Sequence, residues 1–194
     1  MARRALRTAG PAAADAVPIR QAFPPILGSA PRLLILGSMP GEASLAMGRY
    51  YGHARNAFWP IMDALLGLPA EADYGLRVAA LREHGIALWD VIAACARAGS
   101  LDTAIRPETV WVNDFAALLG AAPTIRCIAF NGGTAEREFC RRALPTLPPE
   151  HAGIERLRLP STSPAHAGMR FADKLAAWQV ILDRLGAPAA PPPS

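Results

Sequence analysis

The sequence predicts an α/β fold of three layers, in which helices cover both faces of a central four-stranded parallel sheet. Two observations support this prediction. Four short apolar runs have the composition of strands that are buried on both faces, and segments with helical spacing separate them. In addition, each run leads into a loop with distinctive polar residues. With 194 residues, the chain is long enough for one domain with a sizeable core.

The predicted strands are short apolar segments, each closed by a residue that ends regular structure or begins a loop. The first ends at Gly37, the second is followed by Asp90 and the third by Asn131. Apolar and charged residues alternate in the fourth, which precedes a loop of proline, serine and threonine. The four strands cover residues 32–37, 86–89, 125–130 and 154–159.

Between the strands, apolar residues recur at helical spacing. Phe58, Ile61, Met62 and Leu65 form one stripe, and Gly67 follows as a stop signal. We therefore predict helices over residues 58–68, 73–84, 113–119, 134–143 and 171–185, the third of them capped by Asn113 or Asp114. Asp90 has two interpretations: it is a carboxylate of a functional site, or it caps a helix over residues 91–96.

The two ends of the chain differ in composition from its middle. Residues 1–16 are rich in alanine and arginine and are predicted to be a flexible arm, and residues 187–194 to be a flexible tail of proline and alanine. Residues 17–186 form the single predicted domain. Within it, two prolines exclude a regular helix before residue 30, so that segment is predicted to be extended and packed on the domain.

Composition limits the classes of function. A hydrophobic content of 52% rules out a largely disordered chain, and a net charge of +4 with a pI near 9.4 suits a polyanionic partner. The three cysteines match neither a disulfide framework nor a zinc or iron–sulfur pattern, which favours a reducing, cytoplasmic location. No apolar run has the length of a membrane span.

The predicted loops bring chemically suited residues to one edge of the sheet, because the carboxyl ends of parallel strands meet there. Asn56 and Asn131 can each donate and accept hydrogen bonds through their amides, as reading a nucleobase requires. Nearby tyrosine, phenylalanine and tryptophan rings offer stacking faces, and Ser161, Thr162 and Ser163 offer hydroxyls for a phosphate. The sequence has no carboxylate cluster for a metal, so neither a metal nor another cofactor is expected.

Four motifs at this edge resemble the uracil-DNA glycosylase superfamily, and within it the hypoxanthine-DNA glycosylase branch. They are LILGSMPGEASL, YYGHARNAFW, FNGGTA and PSTSPAHA, and the resemblance covers about residues 23–185. It implies a uracil-DNA glycosylase-like fold and a base-flipping enzyme of base excision repair. Such an enzyme hydrolyses the N-glycosidic bond of a deaminated base, chiefly hypoxanthine, in double- or single-stranded DNA. The expected enzyme is a monomer.

The resemblance also implies roles for individual residues. Met39 stands where most of the superfamily carries a water-positioning Asp or Asn, and the matching amide of the hypoxanthine branch is Asn56, the implied catalytic residue. Phe58 would stack on the base. The implied base pocket consists of Gly37, Ser38, Met39, Pro40, Tyr51, Phe58 and Asn131. The implied loop that grips phosphates and enters the duplex consists of Ser161, Thr162, Ser163, Pro164, Ala165 and His166.

Several alternatives remain open on the sequence alone. The released base could be uracil or xanthine, the chain could be a non-catalytic module that binds damaged DNA, or it could hydrolyse free nucleosides. Asn56 could be only a helix cap, Asn131 only a turn residue, and Tyr51 either pocket wall or core. Lys174, the only lysine, is expected on the polar side of the last helix, which favours a hydrolase without lyase activity because a lyase needs an amine nucleophile.

Overall fold

The computed structural model describes residues 17–69 and 71–186, so the predicted arm (1–16) and tail (187–194) lie outside the described residues. Its strands are β1 (Ile19–Gln21), β2 (Leu33–Gly37), β3 (Ile86–Asp90), β4 (Ile92–Ala96), β5 (Trp111–Val112), β6 (Cys127–Asn131) and β7 (Glu155–Leu159). Its α-helices are α1 (Glu42–Met47), α2 (Phe58–Leu66), α3 (Tyr74–Glu83), α4 (Phe115–Ala121), α5 (Gly133–Glu138), α6 (Pro149–Ala152), α7 (Phe171–Trp178) and α8 (Val180–Gly186).

A parallel sheet in the order β3-β2-β6-β7 is the centre of the fold. It matches the four predicted strands, and with its helices it confirms the predicted three-layer α/β/α architecture. Strand β2 lies between two neighbours and is completely buried, which explains why its sequence is continuously apolar. Trp178 at the end of α7 is also fully buried.

The predicted helix over residues 91–96 is wrong, because these residues form strand β4. The chain continues along the sheet past Asp90: the Val91 N–H donates to the Gly37 carbonyl at 2.9 Å and the Ile92 N–H donates to the Ser38 carbonyl at 3.0 Å. Strand β4 then pairs antiparallel with β1 and β5 in a second, three-stranded sheet that the sequence did not predict. Small residues in β4 gave no alternating pattern to reveal this strand.

The helices differ from the prediction in smaller ways. Helix α1 was missed because it has only six residues, and it ends at Gly48, whose φ of 62° is in the left-handed region. The predicted last helix is divided at Gln179 into α7 and α8. Of the two proposed caps for α4, Asp114 is the one that accepts a hydrogen bond from the helix, from the Ala117 N–H at 2.9 Å.

A buried arginine fastens the loop that follows β2. Arg97 is 2% exposed, and its guanidinium donates to the carbonyls of Gly99 (3.0 Å), Met39 (3.4 Å) and Pro40. Carbonyl groups buried in a turn need donors, and this guanidinium supplies several at once. The conformation of residues 38–41 therefore depends on Arg97.

Replacing Arg97 by glutamine should lower the free energy of unfolding by about 2 kcal/mol or more, because buried carbonyls lose their donors. Urea denaturation measures this change. The matched control is Arg106→Gln, at an exposed position, which should change stability by less than about 0.5 kcal/mol. Equal effects of the two substitutions would contradict the role assigned to Arg97.

Candidate active site

The carboxyl ends of β2 and β3 form a tight, buried contact. Gly37 is paired with Asp90 across the two strands. A Cβ atom at Gly37 would lie 2.3 Å from Asp90 Oδ1 and 3.1 Å from the Tyr51 hydroxyl, so glycine is required at this position. The missing side chain thus leaves room for two polar groups at the end of the central strand.

Asp90 is a buried carboxyl without a partner. It is 3% exposed, and its Oδ2 atom contacts neither solvent nor a hydrogen-bond donor. Burial raises the pKa of Asp90 to about 7, the charge of Asp102 contributes to the rise, and Arg97 opposes it. At neutral pH a substantial fraction of Asp90 is therefore neutral and able to donate as well as to accept a hydrogen bond.

Tyr51 fills the space next to this carboxyl. Its hydroxyl is buried without a well-formed hydrogen bond. Burial, together with the charge of Asp90, raises the pKa of the phenol, and the nearby Asn131 side chain opposes this rise. The Tyr51 ring stacks on Phe58 with the centroids 4.0 Å apart and the planes 24° from parallel. Tyr51 is the one non-glycine residue in the described part of the chain with a positive φ, at 52°.

Phe58 is fully buried, in contact with three aromatic rings. Tyr51 lies parallel to it, and Trp59 and Trp178 meet it edge-on at 80° and 83°. In this arrangement no face of Phe58 is open to a base. The expected stacking of a base on Phe58 stays a prediction, and it requires Tyr51 to move.

Asn131 and Thr162 hold each other through two hydrogen bonds. The Asn131 Nδ2 donates to Thr162 Oγ1 at 2.8 Å, and the Thr162 N–H donates to Asn131 Oδ1 at 2.9 Å. The Thr162 carbonyl accepts from the Ala57 N–H at 3.0 Å. Thr162 is buried, so its hydroxyl is not accessible to a phosphate in this structure. The pair joins the loop after β7 to the start of α2.

Asn56 lies in this joined region, just before α2. Its Oδ1 accepts from the Phe58 N–H at 2.9 Å, and its own N–H donates to the His53 carbonyl at 2.8 Å. The first of these bonds closes a local turn just before α2 and satisfies the first N–H of the helix, but the N-cap residue is Ala57, so Asn56 is not the helix cap that the sequence left open. The amide is half-buried and faces an open cleft with a volume of ≈ 410 Å³, which is also lined by Tyr50, Tyr51, His53, Tyr74 and Arg77.

Comparison with known proteins places this chain in a family. The model of the uracil DNA glycosylase superfamily matches residues 24–185, which is most of the chain. The chain belongs to the uracil-DNA glycosylase superfamily. The resemblance of the four sequence motifs is thereby confirmed, and all of the residues described above lie within the matched range.

Two curated relatives of this superfamily member are named hypoxanthine DNA glycosylase. The protein from Methanosarcina acetivorans is 34% identical over 166 residues, covering 84% of this chain and 98% of that protein. The protein from Methanosarcina barkeri is 39% identical over 114 residues, covering 58% of this chain and 71% of that protein.

A solved structure supports the same fold assignment. It is an NMR solution structure from Methanosarcina acetivorans, described as a proposed uracil DNA glycosylase. The two chains have a TM-score of 0.70 and 32% sequence identity, over 87% of this chain and 99% of that one.

The remaining predicted pocket residues, Ser38, Met39 and Pro40, each contact a different part of the protein. Met39 is buried in a small apolar cluster with Ile92 and Cys95. Ser38 donates its hydroxyl to the Asp102 carboxylate at 2.8 and 3.0 Å. Pro40 is buried, and its carbonyl accepts a hydrogen bond from the Arg97 guanidinium.

The predicted DNA-binding loop is arranged by local bonds. Ser161 Oγ accepts from the Ser163 N–H and Ser163 Oγ accepts from the Ala165 N–H, each at 3.2 Å, and Pro164 lies within the second of these turns. Ala165 and His166 are exposed at its tip. Lys174 was expected on the polar side of the last helix, but it is buried. Its Nζ donates to the His166 carbonyl at 2.9 Å, and this hydrogen bond holds the loop against α7.

Among the described residues, no cluster of His, Cys, Asp or Glu could hold a metal ion, and no helix is long and apolar enough to cross a membrane. The sequence left the role of Asp90 open between a site carboxylate and a helix cap. The pattern that favours a site role is its position directly after a buried strand, paired with Gly37 in the sheet. Asp102 and Arg97 were missed, because nothing in a loop sequence indicates which distant residues it contacts.

Asp90→Asn should stabilise the protein at high pH and not at low pH. The native state keeps the Asp90 proton up to a pKa of about 7 while the unfolded chain loses it near 3.8, so wild-type stability falls as pH rises between these values. We expect the variant to match wild type near pH 4 and to be more stable than wild type at pH 8 by roughly 4 kcal/mol.

Urea denaturation at several pH values measures this difference. The control is Asp183→Asn, which makes the same substitution at an exposed position. A constant difference between Asp90→Asn and wild type across the pH range would contradict the buried, raised-pKa carboxyl.

Thr162→Val should lower the free energy of unfolding by about 1–3 kcal/mol. The isosteric valine side chain has no hydroxyl, so the Asn131 Nδ2 group loses the acceptor that it has in the wild type. Thr162→Ser keeps the hydroxyl and serves as the control, with a smaller loss. Thermal and urea unfolding of both variants give the comparison. If valine and serine are equivalent, the Asn131–Thr162 pair does not hold the loop.

Proposed function

We propose that this chain is a monofunctional DNA glycosylase that releases hypoxanthine, a deaminated purine, from DNA in base excision repair. Membership of the superfamily and the names of the two relatives support this substrate class. The observation that carries the proposal is the buried, unpartnered Asp90 carboxyl at the end of the central strands, beside the glycine that leaves it room.

Asp90 suits a base whose edge presents an N–H beside a carbonyl. Hypoxanthine has this arrangement at N1–H and O6. The carbonyl oxygen of a neutral carboxyl can accept a hydrogen bond from N1–H, and its O–H can donate one to O6. The donated hydrogen bond also stabilises negative charge on the departing base. Adding a base would give the Asp90 carboxyl the partner that it lacks.

Asn56 is the proposed catalytic residue. Its carbonyl oxygen already accepts the Phe58 N–H, and because a carbonyl oxygen has two lone pairs it can also accept from a water molecule. An amide has no useful basicity, so we propose that Asn56 orients the water that forms the new bond to C1′. The C1′–N9 electron pair leaves on the base, and the proton that the water loses passes to the departing base or to solvent. Asn131, with both amide atoms bonded to Thr162, has a positioning role in this proposal.

Hydrolysis without lyase chemistry fits the position of Lys174. Its amine is buried under the loop of residues 161–168 and bonded to a backbone carbonyl, so it is not a free nucleophile beside Asp90 or Asn56. The proposed partner is double- or single-stranded DNA, which the basic balance of the chain favours. A monomeric state and a cytoplasmic location complete the proposal.

Uracil and xanthine are the second candidates, because each also presents an N–H beside a carbonyl to Asp90. The structural relative described as a proposed uracil DNA glycosylase favours testing uracil alongside hypoxanthine. Matched duplexes that contain one deoxyinosine, deoxyuridine or deoxyxanthosine separate the three. The fastest release identifies the substrate, and release of none of them would favour a non-catalytic DNA-binding module.

Asn56→Ala should lower the single-turnover rate of hypoxanthine release at least about 100-fold, because the water loses its orienting group. The measurement is alkaline cleavage of a deoxyinosine-containing duplex followed by gel electrophoresis. Loss of the Asn56–Phe58 hydrogen bond alone costs only about 1 kcal/mol of stability, so a thermal melt must show that the variant is folded at the assay temperature.

Gln179→Ala is the control for Asn56→Ala, since it removes an amide at an exposed position between α7 and α8. It should keep wild-type activity. Full activity in folded Asn56→Ala would refute the catalytic assignment, and inactivity of wild type on deoxyinosine would refute the proposed substrate.

A further inference from the structure

We infer that the Tyr51 ring occupies the place that an extruded base takes against Phe58, and that the base enters by displacing it. This inference rests on the proposed function, since it concerns how the same pocket admits its base. It makes Tyr51 a specificity-determining residue, because only a base that competes successfully with the Tyr51 ring reaches Phe58.

The stacking geometry is the first support. Tyr51 is the one ring that lies nearly parallel to Phe58, at 24°, while Trp59 and Trp178 meet Phe58 edge-on. A centroid distance of 4.0 Å leaves no room for a base between the two rings. A base can stack on Phe58 only where the Tyr51 ring now lies.

The second support is that this position is unfavourable for Tyr51 itself. Its φ of 52° is one that non-glycine residues rarely adopt. Its hydroxyl is buried beside Gly37 and Asp90 without a well-formed hydrogen bond, and Asp90 lacks a partner as well. An entering base would give Asp90 its partner and return the Tyr51 hydroxyl to water, so the exchange removes two buried, unsatisfied groups.

Tyr50 shows by contrast that the neighbouring tyrosine is fixed. The Tyr50 hydroxyl donates to the Pro24 carbonyl at 3.1 Å, and the Tyr50 carbonyl accepts from the Trp59 indole at 2.8 Å. Tyr51 has neither kind of anchor. Displacement can therefore be confined to Tyr51 and the residues after it, which lead directly to Asn56.

The first experiment titrates folded variants with the free base that wild type releases from DNA, which is hypoxanthine under the proposed function. Tyr51→Gly empties the position and suits the positive φ, so we expect binding about tenfold tighter or more, because no closed state has to be opened. Tyr51→Phe keeps the ring and removes the unsatisfied hydroxyl. It stabilises the closed pocket, and binding should weaken several-fold. Tyr50→Phe is the matched control.

The opposite pattern would overturn the inference. If Tyr51 were instead a platform on which the base stacks from the cleft side, Tyr51→Gly would bind more weakly and Tyr51→Phe would bind as wild type does. Unchanged binding in both variants also overturns it. Thermal melts confirm that each variant is folded before titration.

A second measurement uses the intact protein. The chain has three tyrosines, so labelling with 3-fluorotyrosine gives a simple ¹⁹F spectrum, and Tyr51→Phe identifies the Tyr51 signal. Adding the free base should move that signal to the position of a solvent-exposed ring and leave the Tyr50 signal in place. A Tyr51 signal that stays unchanged at saturating base overturns the inference. If wild type releases hypoxanthine from DNA in the same series, the proposed function stands even when this inference fails.

Discussion

The side-by-side register of β2 and β3 is the constraint on which the site depends. Gly37 and Asp90 stand level at the carboxyl ends of the two strands, and only the absence of a Cβ atom at Gly37 lets the Asp90 carboxyl and the Tyr51 hydroxyl lie there together. A shift of one residue would turn the Asp90 side chain to the other face of the sheet. Fully buried strands on either side of this position make such a shift unfavourable, because every apolar side chain would change its surroundings.

The loops around this contact are held by bonds between distant segments. Arg97 reaches from the end of β4 to the carbonyls after β2, and Ser38 is bound by Asp102. Thr162 links the end of β6 to the start of α2 through Asn131 and Ala57. The parallel sheet places the strand ends, and these few polar contacts determine which side chains of each loop face the pocket.

The sequence predicted the central sheet because its strands are continuously apolar, and the motifs predicted the family because they lie in the loops at one sheet edge. It did not predict β4, whose small residues show no periodicity, or the burial of Lys174, which depends on a carbonyl in a loop eight residues earlier. Helical spacing suggests that Phe58 is core, and only three-dimensional packing shows that Tyr51 covers it. Sequence patterns report local structure and burial, whereas the partners of a loop side chain are set by contacts between remote segments.

Asp90 has a consequence for how this protein could change under selection. A carboxyl that is buried without a partner opposes folding at neutral pH, so it is a residue that selection for heat resistance alone would be expected to remove. A laboratory library screened only for survival at high temperature should therefore accumulate uncharged replacements at this position. The same library screened for base release as well should retain a hydrogen-bonding side chain there. The two outcomes together would separate the effect of Asp90 on stability from its role in base release.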